Sequence, residues 1–304
     1  MKLQHFREVV AIAEQGSIRA AARLLGVAQP ALTRSLADLE HELGAPLFER
    51  RVRGVIPTPL GQAFVRRAAS ISQEIRRTEE EMAQLRGATT GTVTAGLSIA
   101  AHLAFLPSAL APFLKRYPDT RLHVIEGFYP TLEGGLREGR IDFYFGVDPG
   151  PPIARELSRE VFRPNRRTVL CRAGHPLAAS TSLSQLSSAG WTTTSITVSA
   201  EDEVSAIFER HGLPAPKLAL RCQSALTVMT CIAYSDLLAM VPLQWSKFAL
   251  TRGALTTIEV KEELAAPPLV IIKRADLPLT PAATHLLTLL KRAPAASGHA
   301  TRSL

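Results

Sequence analysis

Apolar residues recur at helical spacing from the start of the chain. Leu3, Phe6, Val9, Val10 and Ala13 form one stripe of a helix over 3–14. Gly16 ends that helix, and Ser17 is placed to cap a second one whose apolar face is Ile18, Ala21, Ala22 and Leu25. Gly26 closes the second helix. Only Val27 and Ala28 precede Gln29 and Pro30, and proline is favoured in the first turn of a helix. A third helix then runs to Leu43, with Leu32, Leu36, Leu39 and Leu43 facing the core until Gly44 and Pro46 stop it.

A short helix, a tight glycine-containing turn and a longer helix form a helix-turn-helix, whose second member enters the DNA major groove. With its leucines turned inward, the third helix presents Gln29, Pro30, Thr33, Arg34 and Ala37 outward. Gln and Arg can each bond two atoms of a base edge, and Thr33 offers a hydroxyl and a methyl. Next, residues 50–67 carry Arg50, Arg51, Arg53, Arg66 and Arg67 with no acidic residue. Such a run alone is as consistent with a solvated basic face, but behind a helix-turn-helix it points to DNA. Residues 49–58 place Gly54 among residues of moderate strand propensity. They read as a two-stranded wing with its tip near Arg53, where an arginine can follow phosphates or enter a minor groove. The formal net charge of +8 agrees with a polyanionic partner.

Thr58 and Pro59 then open a long helix of about 29 residues, roughly 43 Å. Phe64, Ile71, Thr78 and Leu85 recur every seven residues, and Ala68, Ile75 and Met82 fill the stripe between them. This pattern fits a seam between two chains, or packing within one. Residues 87–91 (Gly-Ala-Thr-Thr-Gly) read as a hinge. Beyond it strands and helices alternate. Strands are expected at 92–97, 121–126, 141–145, 160–171, 218–222, 238–241 and 269–273. Helices are expected at 101–116, 131–138, 201–211, 225–234 and 281–292. The alternation predicts parallel sheets with helices on both faces. The Ala-, Ser- and Gly-rich tail, 294–304, reads as disordered.

No apolar run approaches the roughly 20 residues of a membrane span, and no signal peptide is evident, so a cytoplasmic protein is expected. Cys171, Cys222 and Cys231 show no paired spacing, which suits a reducing compartment. The eight histidines are scattered, and no catalytic, metal-binding or nucleotide-binding motif is present. Two rival readings are an enzyme and a solute-binding protein on an α/β scaffold. The first lacks a motif, and the second has no use for the first ninety residues.

The run Gly16-Ser17-Ile18-Arg19-Ala20-Ala21-Ala22-Arg23-Leu24-Leu25 resembles the LysR-type transcriptional regulators, and so does Gln29-Pro30-Ala31-Leu32-Thr33-Arg34. Leu39-Glu40, Leu43-Gly44, Leu47-Phe48-Glu49-Arg50 and Thr58-Pro59-Leu60-Gly61 continue the likeness. Softer marks are Pro118, Glu138-Gly139-Arg140-Ile141-Asp142 and Arg172-Ala173-Gly174-His175-Pro176-Leu177. The resemblance implies a multidomain chain. An all-α winged helix-turn-helix (1–58) and a linker and dimerisation helix with its hinge (59–91) would precede an α/β effector module (92–293). That module would be periplasmic-binding-protein-like, with two doubly wound subdomains, 92–162 with 267–293 and 163–266, joined by two crossing strands.

On this resemblance the DNA-binding set is Ser17, Arg19, Gln29, Pro30, Ala31, Thr33, Arg34, Arg51 and Arg53. The dimerisation set is Phe64, Ile71, Ile75, Thr78, Met82 and Leu85. The effector, an acidic or aromatic metabolite, would meet Ser98, Ala100, His102, Tyr129, Thr194, Ser195 and Thr197. Anions favour helix N-termini at strand ends in such folds. Family pockets often carry a Ser or Thr where this chain has Ala100 and Tyr129. Either His102 then substitutes as a donor, or the effector is bulkier or less charged. The implied partners are promoter or operator double-stranded DNA, the effector, and further copies of the chain in a dimer or homotetramer. RNA polymerase joins them if the protein activates. No cofactor, metal or catalytic residue is implied.

Overall fold

A computed structural model describes residues 1–52, 54–194 and 199–293. Helices α1 (Leu3–Gln15), α2 (Ile18–Leu25) and α3 (Gln29–Leu43) lie where the apolar spacing places them. Val9, Ile12, Ala21, Ala22, Leu32, Leu36 and Leu39 close into one core. Leu3 and Leu43, expected on the same stripes, sit at helix ends beyond that core and are exposed. Strands β1 (Phe48–Arg51) and β2 (Gly54–Pro57) pair antiparallel as the wing. Two contacts hold the wing to the helices. The Glu40 carboxylate accepts the N–H groups of Leu47 and Phe48 at 2.6 and 3.2 Å. The Val55 N–H donates to the Gly16 carbonyl at 2.8 Å. A Cβ on Gly54 would lie 2.2 Å from that carbonyl oxygen, so the close approach requires glycine.

The Thr58 hydroxyl accepts from the Gly61 N–H at 2.9 Å and caps α4 (Pro59–Leu85), 27 residues long. Near its start, Phe64 stacks on Phe6 with ring centroids 5.8 Å apart. Phe64 therefore packs within its own winged domain rather than standing free for a seam. Farther along, one face of α4 binds the C-terminal module through polar groups. Arg77 Nη2 donates to Asp142 Oδ1 at 2.6 Å, with both side chains less than a tenth exposed. Asp142 Oδ2 also accepts the Thr94 N–H at 2.7 Å. Burial nevertheless pushes the Asp142 carboxyl upward, against the pull of Arg77 and Thr94. Gln84 donates to the Thr90 carbonyl at 3.0 Å and accepts the Ala282 N–H at 2.9 Å. Away from these contacts, Ile71, Thr78, Met82 and Leu85 are exposed and Ile75 is half-buried.

The C-terminal module opens with β3 (Gly91–Leu97), α5 (Ile99–Arg116), β4 (Thr120–Glu126), α6 (Tyr129–Arg137), β5 (Phe143–Val147) and the long β6 (Leu157–Arg172). It continues through β7 (Gly190–Thr194), α7 (Ser199–Arg210), β8 (Lys217–Cys222), α8 (Ala225–Ala233) and β9 (Leu238–Pro242). Strands β10 (Leu255–Ile258) and β11 (Ala265–Arg274) and helix α9 (Pro281–Arg292) complete it. Strand order is β4-β3-β5-β11-β6-β9-β7-β8, with β10 beside β6. The outer trios, β4-β3-β5 and β8-β7-β9, are parallel. The expectation of wholly parallel sheets is corrected at the centre, where β6 and β11 run antiparallel to their neighbours. The reason is the long path of β6. Its first half pairs with β11 and its second half with β9 and β10, so it passes from one half of the module to the other. Strands β7 and β10 and the short turns Leu183–Leu186, Leu243–Lys247 and Ala249–Thr251 escaped the sequence reading. Separate apolar cores fill the two halves. Phe105 stacks on Phe145 in the first, and Trp191 meets Phe208 edge-on in the second.

Candidate nucleic-acid interface and effector cavity

The outward face of α3 is built by subtraction. Leu32, Leu36 and Leu39 are buried, which leaves Gln29, Pro30, Ala31 and Arg34 exposed around its first turns. Ser35 donates to Glu8 on α1 at 2.5 Å, fixing the rotation of α3 about its own axis. Arg34 has no carboxylate partner among the described residues, and neither does Arg19, exposed at the start of α2. Two members of the expected set are already engaged. The Ser17 hydroxyl caps α2 by accepting the Ala20 N–H at 3.3 Å, and the Thr33 hydroxyl donates to the Gln29 carbonyl at 3.0 Å. Thr33 thus offers its methyl and the lone pairs of its oxygen. On the wing, Arg51 is exposed and pairs with Glu49 at 2.8 Å. Arg53 lies outside the described residues. The residue that sequence reasoning missed is Glu40. It touches no outward face, yet it positions the wing against α3.

A cavity of about 200 Å³ opens between the two halves of the C-terminal module. Ser98, Ala100 and Tyr129 line it, at the starts of α5 and α6. The Ser98 hydroxyl accepts the Ala101 N–H at 3.3 Å, so it serves as a helix cap as well as a wall. His102 does not line the cavity, and its Nδ1 is buried without a partner. The donor substitution expected of it is therefore not made. On the other side Thr193 faces the cavity from β7, and Thr194 ends that strand. Ser195 and Thr197 lie outside the described residues.

Most of the polar lining comes from residues the sequence did not suggest. Asn165 and Arg167 stand on the crossing segment of β6, Glu203 on α7, and Trp245 in the turn after β9. Arg167 is held from two sides, donating to the Glu203 carboxylate and to the Ala265 carbonyl. Asp148 accepts from Arg159 at 3.0 Å. The neutral groups are less complete. Asn165 accepts from the Gln244 amide at 3.0 Å, and its own Nδ2 has no partner. Trp245 Nε1 and the Tyr129 hydroxyl are also buried and unpaired. Burial pushes the Tyr129 phenol up to about 12, so it remains protonated at neutral pH and can donate. Its ring meets Tyr144 edge-on at 5.6 Å. The apolar walls, including Met240, Pro242 and Pro267, leave this group of donors free to hold an acceptor-bearing small molecule.

Comparison with known families covers both regions of the chain. A family model described as the LysR substrate binding domain matches residues 86–295. A second, described as the bacterial regulatory helix-turn-helix protein of the lysR family, matches residues 3–62. The chain belongs to the LysR family. This LysR protein is 26% identical over 296 residues to the HTH-type transcriptional regulator GbpR of Azospirillum brasilense, covering 96% of this chain and 86% of that one. It is 23% identical over 306 residues to the regulator TdcA of Escherichia coli, covering 100% and 96%. Full-length OxyR from Pseudomonas aeruginosa shares its fold with a TM-score of 0.73 at 21% identity, covering 96% of this chain and 95% of that one. The LysR regulator CbnR bound to its target DNA shares it with a TM-score of 0.68 at 20% identity, covering 97% and 100%. The protein is a DNA-binding transcriptional regulator with an N-terminal helix-turn-helix and a C-terminal ligand-binding module. The Glu138–Asp142 run acquires a role here, because Asp142 is the residue that receives the linker arginine.

Proposed function

We propose that this LysR regulator reads its operator with α3 in the major groove and answers to a small molecule bound between two effector subdomains. Gln29, Pro30, Ala31, Thr33 and Arg34 would meet base edges. Ser17, Arg19, Arg51 and Arg53 would follow the backbone or an adjoining minor groove. The observation that carries the reading is Arg34, exposed and without a carboxylate partner among the described residues, beside Gln29 at the start of a helix whose other face is core. The working division is 1–58 for DNA and 59–91 for the linker. Residues 92–162 with 267–293 would form one effector subdomain and 163–266 the other.

Two chains would pair along α4 through Ile71, Ile75, Thr78, Met82 and Leu85, and pairs of dimers would form the tetramer. Operator symmetry mirrors protein symmetry in such assemblies. The protein would act in the cytoplasm, and as an activator it would engage RNA polymerase. The module would bind rather than catalyse, in keeping with the substrate binding domain whose family model it matches. The test is a gel-shift of genomic fragments with the full-length protein, followed by footprinting with and without candidate effectors. Retardation of a defined fragment, with a footprint altered by a compound that raises the melting temperature, is expected. Equal retardation of every fragment would overturn the reading.

A further inference from the structure

The cavity between the subdomains has unpaired hydrogen-bonding groups but no unpaired charge among the described residues that line it. Three charged residues line it: Asp148, Arg167 and Glu203. Arg167, the one cation, is taken up by Glu203 and the Ala265 carbonyl, and Asp148 is balanced by Arg159. An incoming carboxylate would be a third negative group facing one occupied guanidinium. Taking a charge out of water without a partner is costly, whereas a neutral acceptor loses little if donors await it. Those donors are present. Asn165 Nδ2, Trp245 Nε1 and the Tyr129 hydroxyl are without partners, and each of these residues is at least nine-tenths buried. Size narrows the choice further. An apolar cavity of about 150 Å³ accepts benzene, so about 200 Å³ suits one ring with a small substituent.

We infer that the effector is an uncharged, single-ring-sized carbonyl compound, and that Glu203 excludes carboxylates by occupying Arg167. The inference rests on the cavity being the effector site. Glu203 acts as a selectivity element: by holding the one guanidinium among the described lining residues, it leaves an acid only the helix N-termini of α5 and α6. The carbonyl of the ligand supplies an acceptor to this group of donors, while its ring meets the apolar wall that includes Tyr129, Pro242 and Pro267.

Benzamide and benzoate, nearly equal in shape and different in charge, are the probes, used with the full-length protein. Trp245 lines the cavity, whereas Trp191 is fully buried in a separate core with its indole N–H on the Leu186 carbonyl. Quenching of tryptophan fluorescence therefore reports occupancy, and the shift in melting temperature is the second readout. Benzamide is expected to bind at least about tenfold tighter than benzoate, a difference of about 1.4 kcal/mol. Tyr129→Phe, which keeps the ring, should weaken benzamide severalfold. Glu203→Gln, at a half-exposed side chain, should raise benzoate affinity by about tenfold. Tighter benzoate binding by the parent protein, or no gain of benzoate by Glu203→Gln, overturns the inference and leaves the cavity as the effector site. Binding that survives unchanged when Ala266→Phe fills the cavity overturns the effector-site reading as well. Silence of both probes at millimolar concentration overturns the inference and leaves the effector-site reading standing on the footprinting test.

Discussion

The face carrying α3 and the cavity between the subdomains treat charge in opposite ways. On the first, Arg19 and Arg34 are exposed and have no carboxylate partner among the described residues. In the second, Arg167 and Asp148 are paired within the protein, and the groups left without partners are neutral. The two arrangements suit two kinds of partner. A polyanion is drawn from a distance, and binding releases the ions condensed on it, which requires cations open to solvent. A small ligand is chosen at contact, where an unmet hydrogen bond in a dry site is what discriminates.

The largest effect is expected at the seam proposed to join two copies of the DNA face. Ile71→Glu combined with Ile75→Glu should place charges in the proposed seam, at a cost of several kcal/mol per dimer. Sedimentation should show monomers with little operator affinity, and an unchanged oligomer would move the seam elsewhere. Next comes the contact that links the two regions. Arg77→Met leaves Asp142 buried without its cation and should cost about 3 kcal/mol in urea unfolding, by the usual penalty for breaking a buried pair. A loss below about 1 kcal/mol would mean that Asp142 takes up a proton instead.

On the DNA face, Arg34→Ala should weaken specific binding by about 1–3 kcal/mol and relax preference at one base step. Equal loss on random DNA would make Arg34 a phosphate contact. The smallest effect belongs to Arg51→Ala, because Glu49 already holds that guanidinium. Affinity should fall by less than about 1 kcal/mol, and the log–log salt slope should become shallower by about 0.9. Over the same salt range, binding of a neutral ligand in the cavity should stay flat. Equal salt sensitivity of the two sites would remove the contrast between them.

The α3 face was legible because it is local. Leucine spacing, the Ser17 cap and the Gly26 stop all lie within a few residues of one another, and burial of one face leaves only one assignment for the other. The cavity was legible only at Ser98, Ala100 and Tyr129, where strands pass into helices. Asn165, Arg167 and Trp245 reach it because β6 crosses between the halves and β9 ends beside it, pairings with no local signature. Helix α4 misled in a third way. Arg77 and Gln84 look like the solvated side of a heptad pattern, whereas they are the side that the C-terminal module covers. A period identifies faces, but it does not tell which polar face will meet a partner able to satisfy it.

The clamps on α4 also have a mechanical consequence. Near one end the helix is tied into the winged domain through Phe64, and near the other it is bolted to the C-terminal module by Arg77 and Gln84. Between Arg77 and Pro59 lie roughly 27 Å of continuous helix at 1.5 Å per residue. A tilt of about 5° at the bolted end would swing the winged domain by about 2.4 Å, a sizeable part of the 3.4 Å step along a DNA strand. The helix is a lever. A few degrees of tilt in the half of the module that holds Asp142 and Ala282 would be enough to move the reading head by most of one such step.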